Sequence, residues 1–294
     1  MDILLPVLVA GITTGALYAL ATVGLSLVWG AFGMLNMAHG VMLTIGGYAA
    51  FTAVTQLGLP APIGLLAALL AGGVVGAALY ALVVRPMLRS PRAAFETNII
   101  IATFGVAIAL ENAVLLYYGG QPFAQPLSVG GAVRVGAASI PVQNLVIVGV
   151  SLVLMAAAAL LLGRTRAGRA IRATAQNSDA ARLMGVKVGR VYAQVLILAG
   201  MLAGICGVLL SSVTQLSPSL GQDPLLKAFI MCVVAGLGNL PAAVAASFVL
   251  ALVENGVSFV FSARWGFPSL LFIVIAVLIW RPTGLFGRAQ VRRL

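Results

Sequence analysis

Charge is what this sequence most lacks. Only 8% of its 294 residues are Asp, Glu, Lys or Arg, against about 25% in an ordinary soluble domain. Between Asp2 and Arg85 there is no such residue. That deficit excludes a water-soluble globular chain. Cysteine and histidine are nearly missing too: Cys206 and Cys232 stand far apart in apolar segments, and His39 is the one histidine. No His/Cys metal cluster and no redox pair can be built from them. Both cysteines read as core- or lipid-facing packing residues. A G-x-x-x-x-G-K-[ST] loop is also absent, since Lys187 and Lys227 are followed by Val188 and Ala228. ATP binding through a P-loop is excluded. With no G-x-S-x-G elbow and no catalytic constellation, neither catalytic residues nor a cofactor are expected.

Apolar residues are abundant instead, at 62%. They form runs at 4–29, 41–57, 61–84, 97–118, 142–163, 191–214, 225–238, 241–260 and 267–281. In lipid the backbone must satisfy itself, so spans are helices or closed barrels. These runs lack the period-2 alternation of barrel strands. The expected fold is an all-α polytopic membrane protein with about nine (eight to ten) transmembrane segments, at roughly 20 residues per span. Runs 225–238 and 267–281 are short, and read as half-helices or re-entrant segments buried in protein or lining a cavity. The run from 3 to 29 exceeds a signal-peptide core and has no basic flank, so it reads as the first span.

The net charge of +11 does not indicate nucleic acid. Its basic residues sit in short loops: Arg85, Arg89 and Arg92 in 85–95; Arg164, Arg166, Arg169, Arg172, Arg182, Lys187 and Arg190 in 164–190; Arg281, Arg288, Arg292 and Arg293 in the tail. Loop 119–141 carries only Arg134. Basic loops stay cytoplasmic, which predicts an outside N-terminus and an inside C-terminus. Gly11/Gly15, Gly72/Gly76 and Gly200/Gly204 have the four-residue spacing that lets membrane helices approach closely. Glu111-Asn112-Ala113-Val114 and Glu254-Asn255-Gly256-Val257 echo each other, either as a trace of duplication or by chance.

Segment 168–184 has an amphipathic helical pattern. Asn177 or Ser178 is placed to cap a short second helix, and Gly185 to end it. Such a loop is either a docking element for a partner's groove or a solvated basic loop that fixes topology. Five polar positions in or near spans have two readings each. Glu111 and Glu254 line a path or act as braces. His39 bonds backbone carbonyls at a helix break or faces solute. Asp223 and Lys227, four apart, pair locally or dock a binding protein. Gly236, Gly238 and Pro241 mark a helix break.

Residues 15–51, with the core Asn36-Met37-Ala38-His39-Gly40, resemble the N-terminal signature of Liv-type branched-chain amino acid permeases, which commonly have N-F-A-H-G. Segment 172–209 is similar to that family's cytoplasmic loop and following span, and 227–256 to its G-G-L-G-S-x-x-G-A segment. Departures are Met37, Ala235, Asn239 and Ala242. The match is most like the LivH-type subunit. It implies an ABC importer permease fold, a single transmembrane permease domain over 1–294, located in the bacterial inner membrane. The implied partners are two ATP-binding subunits, a second permease subunit and a periplasmic solute-binding protein. The coupling loop would lie at about 164–190, with Arg172, Gln176, Asp179, Arg182, Met184 and Gly185 its candidate contacts. Candidate path residues are Asn36, His39, Glu111, Gly236, Gly238 and Glu254. The alternatives are a permease for urea, short-chain amides or another small polar solute, and a stand-alone secondary transporter. The paucity of acids and the basic amphipathic loop argue against the last.

Overall fold

The computed structural model describes residues 4–88, 92–135 and 138–287; Arg89, Arg288, Arg292 and Arg293 lie outside them. The chain is a bundle of long helices, as its apolar runs require. α1 (Leu4–Phe32) is followed by a short break and α2 (His39–Phe51), which a π turn extends to Gln56. α3 (Ala61–Leu79) continues through a second π turn, Tyr80–Val84, into α4 (Arg85–Met87). α5 (Arg92–Tyr118) leads to a loop with a two-stranded hairpin, β1 (Ala132–Val135) and β2 (Ala138–Pro141). Composition did not foretell the hairpin. α6 (Val142–Arg164), the short α7 (Arg166–Gln176) and α8 (Ser178–Leu183) come next, then α9 (Val188–Ser211), α10 (Gln222–Ala235), α11 (Leu240–Val260) and α12 (Gly266–Trp280).

Seven of these stretches are long and apolar enough to cross a bilayer; α2 and α10 are the shorter exceptions. The expectation of a short segment at 225–238 fits α10. The run at 267–281 differs: with the helical turn Ala263–Trp265 before it, α12 reaches spanning length. The unforeseen partial helix is α2. Nearly every side chain of α2 is buried, whereas α5, α6 and α12 turn Ile101, Phe104, Val153, Phe272 and Ile279 outward. Inner helices are thus enclosed by protein and outer ones offer aliphatic surface to lipid.

Phe32 at the end of α1 stacks on Tyr192 at the start of α9, ring centroids 4.2 Å apart. These two central helices therefore run antiparallel. α3 packs chiefly on α9, and α1 chiefly on α11. α5 leans on α2 as α12 leans on α10. The set α1, α2, α3, α5 is thus repeated in reverse direction by α9, α10, α11, α12, an inverted arrangement known in transporter folds. The Glu-Asn-x-Val echo is not its trace: Glu111 lies on α5 and Glu254 on α11, which are not equivalent helices.

The α3–α9 seam depends on glycine. A side chain on Gly72 would strike the backbone of Gly200, and one on Gly204 the backbone of Ala68. Backbones this close leave no room for a methyl group. Gly105 and Gly149, by contrast, face open space. Overpacking costs about 1–3 kcal/mol. Gly204→Val should therefore lower the melting temperature and the monodisperse fraction in detergent chromatography, while Gly105→Val leaves both near wild type.

Candidate functional site

Lys227 is the ion around which the interior charges gather. It sits on α10, and its side chain is 12% exposed. Its ammonium donates to Tyr18 Oη at 2.7 Å. It pairs with Glu254 Oε1 at 2.9 Å and with Asp223 Oδ2 at 3.1 Å. Tyr18 belongs to α1 and Glu254 to α11, so three helices meet on one cation. A charge in an apolar bundle is expensive unless paired, and this one has three oxygen partners. Glu254 keeps its second oxygen, Oε2, buried without a partner. One turn nearer the start of α10, Gln222 Nε2 donates to both oxygens of Glu111 at 2.8 and 2.9 Å. Both echo glutamates thus hold the same short helix. The expected Asp223–Lys227 pair is present, and Lys227 additionally holds Glu254.

Asn36–His39 form the break between α1 and α2. Asn36 Oδ1 accepts from Ala38 N–H at 3.1 Å, and the Asn36 carbonyl accepts from His39 N–H at 3.2 Å. Thr103 Oγ1 on α5 accepts from Met37 N–H. His39 is fully buried, and its Nε2–H donates to the Ala21 carbonyl of α1 at 3.0 Å. The structure therefore uses the Asn-x-Ala-His segment to start a helix inside protein. Cys206 and Cys232 are buried and face the Leu17 and Thr22 carbonyls of the same helix.

At the other end of α10, Gly236 takes φ +97° and Gly238 φ +84°, conformations suited to glycine. The last carbonyls of α10 are taken by the segment that follows α12: Leu285 N–H donates to Val234 O and Phe286 N–H to Ala235 O. Asn239 caps α11 by accepting from Ala242 N–H and donates to Phe286 O. Beside this break opens a cavity of about 1050 Å3. α1, α6, α7 and the 237–241 turn form its walls, and Ser26, Gly30, Met155, Arg172, Gly238 and Asn239 are among its lining residues.

α7 and α8 close that end of the bundle. Thr165 caps α7 by accepting from Gly168 N–H, and Asn177 Oδ1 caps α8 by accepting from Asp179 and Ala180 N–H. Gly185, at φ +84°, terminates α8. α7 buries Gly168, Ile171 and Thr174. Gln176, Asp179 and Arg182 are exposed, and Leu183 and Met184 are 89% and 85% exposed at the tip. Of the candidate coupling residues, Arg172 stands apart by lining the cavity. Of the candidate path residues, only Gly238 lines it. Asn36 and His39 belong to the α1–α2 break, and Glu111 and Glu254 to the clamp on α10. Tyr18, Gln222 and Ser26 were missed. A lysine inside an apolar bundle demands a counter-ion, and that rule was the available signal for Glu254.

Interrupted helices, paired charges at the interruptions and an open apolar cavity define a multi-pass membrane transport protein. The chain belongs to the family described as branched-chain amino acid transport system / permease component, whose profile matches residues 7–280. It is 31% identical over 297 residues to the high-affinity branched-chain amino acid transport system permease protein BraD of Pseudomonas aeruginosa, covering 98% of this chain and 97% of that one. It is 32% identical over 294 residues to LivH of Escherichia coli K12, covering 97% and 96%. To a probable LivH permease of Methanocaldococcus jannaschii the identity is 26%, over 92% and 89%.

Removing one partner of a buried ion pair costs about 3–5 kcal/mol, whereas replacing both by apolar groups is often near neutral. Lys227→Met should therefore lower the melting temperature sharply, and Lys227→Met with Glu254→Leu should recover most of the loss. The buried thiols of Cys206 and Cys232 report unfolding to a thiol-reactive dye. Equal destabilisation by the single and double variants would contradict the clamp.

Proposed function

We propose that this chain is the membrane-spanning subunit of an ABC importer for branched-chain amino acids in the bacterial inner membrane. Separate ATP-binding subunits drive it, a second permease subunit completes the route, and a periplasmic solute-binding protein delivers the solute. The chain itself hydrolyses nothing. Family membership supports the solute class, and the missing P-loop supports the need for partners. The observation that carries the mechanism is the apolar tip of α7–α8. Leu183 and Met184 are almost bare on two capped, ordered helices, flanked by Asp179, Arg182 and Lys187. An exposed apolar pair on an amphipathic element suits insertion into a partner's groove.

The end bearing α7–α8 faces the cytoplasm. Arg85, Arg164, Arg166, Arg169, Arg172, Arg182, Lys187, Arg190 and Arg281 belong to this end, and Arg134 and Arg264 to the opposite one. That asymmetry follows the retention of basic loops inside. Nine segments, counting α2 and α10, support an N-terminus outside and a C-terminus inside. ATP-driven closure of the partners moves α7–α8. That motion reaches the bundle through Ile171 and Thr174, alternating access between the two sides.

The test is co-purification with the products of neighbouring genes, followed by binding-protein-stimulated ATPase measurement. Leu183→Asp with Met184→Asp should abolish stimulation or release the ATPase subunit, a loss of at least tenfold, while the permease still elutes as a folded species. Undiminished stimulation would remove α7–α8 from the coupling role.

A further inference from the structure

The cavity at the α10–α11 break holds two polar groups that the fold does not use. Ser26 Oγ on α1 is buried, lines the cavity and has no hydrogen-bond partner. A buried hydroxyl left unpaired costs stability, so its persistence points to something that visits it. Arg172 on α7 is the one charged residue among the cavity's lining residues, and no acid pairs with it among the described residues. Asn239, the other polar side chain there, is already engaged with Ala242 and Phe286. The remaining wall is mostly aliphatic, including Leu27, Met155 and Leu240.

An apolar wall with one cation suits a small molecule with a carboxylate at one end and a hydrocarbon group at the other. We infer that Arg172 and Ser26 form an exit station for the transported amino acid. The carboxylate rests on the Arg172 guanidinium, the hydrocarbon side chain lies along Leu27 and Met155, and Ser26 supplies a polar partner farther in. This rests on the importer reading and deepens it. Sites for whole small ligands run roughly 300–1,000 Å3, so about 1050 Å3 is more than one amino acid fills. The station is therefore wet and weak, as an exit requires, and holds solute at millimolar rather than micromolar concentration. Arg172 is then a path residue rather than a docking one.

The test uses the complex with its partner subunits, in phosphatidylcholine nanodiscs. Ala159→Cys places a thiol on the exposed α6 wall of the cavity, and the native cysteines are buried. The rate of its modification by a small methanethiosulfonate is measured with and without tens of millimolar leucine. Leucine should slow the reaction at least threefold, and leucinamide, lacking the carboxylate, should not. Arg172→Gln should remove the protection, Arg172→Lys should keep part of it, and Ser26→Ala should weaken it. Equal protection by leucinamide, protection surviving Arg172→Gln, or an unreactive thiol would overturn the proposal. Slowing by phosphatidylglycerol with no leucine effect would overturn it in favour of a lipid headgroup. Stimulated ATPase activity, read on the same preparation, separates failure of the station from failure of the importer reading.

Discussion

A helix that stops inside a bilayer leaves backbone donors and acceptors where no water can take them. The architecture of this chain follows from meeting that constraint at α2 and α10. Asn36, Thr103 and His39 answer the start of α2. Thr44 Oγ1 accepts from Gly221 N–H just before α10, and residues 285 and 286 cover the end of that helix. Asn36 acts locally, but Thr103, Thr44 and residues 285 and 286 come from distant parts of the chain, so the short helices also tie the bundle together.

α10 carries most of what is unusual in the molecule. Its first turns hold Gln222 and Lys227, which collect Glu111, Glu254 and Tyr18 from three other helices and Asp223 from α10 itself. Its last residues open onto the Gly236–Asn239 turn and the cavity. A displacement of α10 must therefore disturb both the charge cluster and the cavity wall. Ion pairs of this kind add specificity of arrangement more than stability. With only six acids in the chain, spending Asp223 and Glu254 on one lysine fixes the register of α1, α10 and α11.

Much of this was legible beforehand. The scarcity of charge demanded a membrane protein, and basic residues marked the loops. Asn177 and Gly185 announced the ends of α8 in the manner that caps and positive-φ glycines do. The Asn36–Gly40 motif pointed to a family, and the structure supplies its local physics. What stayed hidden was long-range. Nothing in the run 41–57 distinguishes a buried partial helix from a lipid-facing span, because both are apolar throughout. The hairpin at 132–141 is short and fixed by pairing rather than periodicity. The cavity depends on how α1, α6 and α11 splay, and no local pattern records an angle between helices.

Vectorial transport tests the importer reading most directly. Proteoliposomes containing this chain with its ATPase and permease partners should take up radiolabelled leucine only when ATP is present on the α7–α8 side and the binding protein on the other. Uptake that persists without ATP, driven instead by an ion gradient, would contradict it and make the chain a secondary transporter.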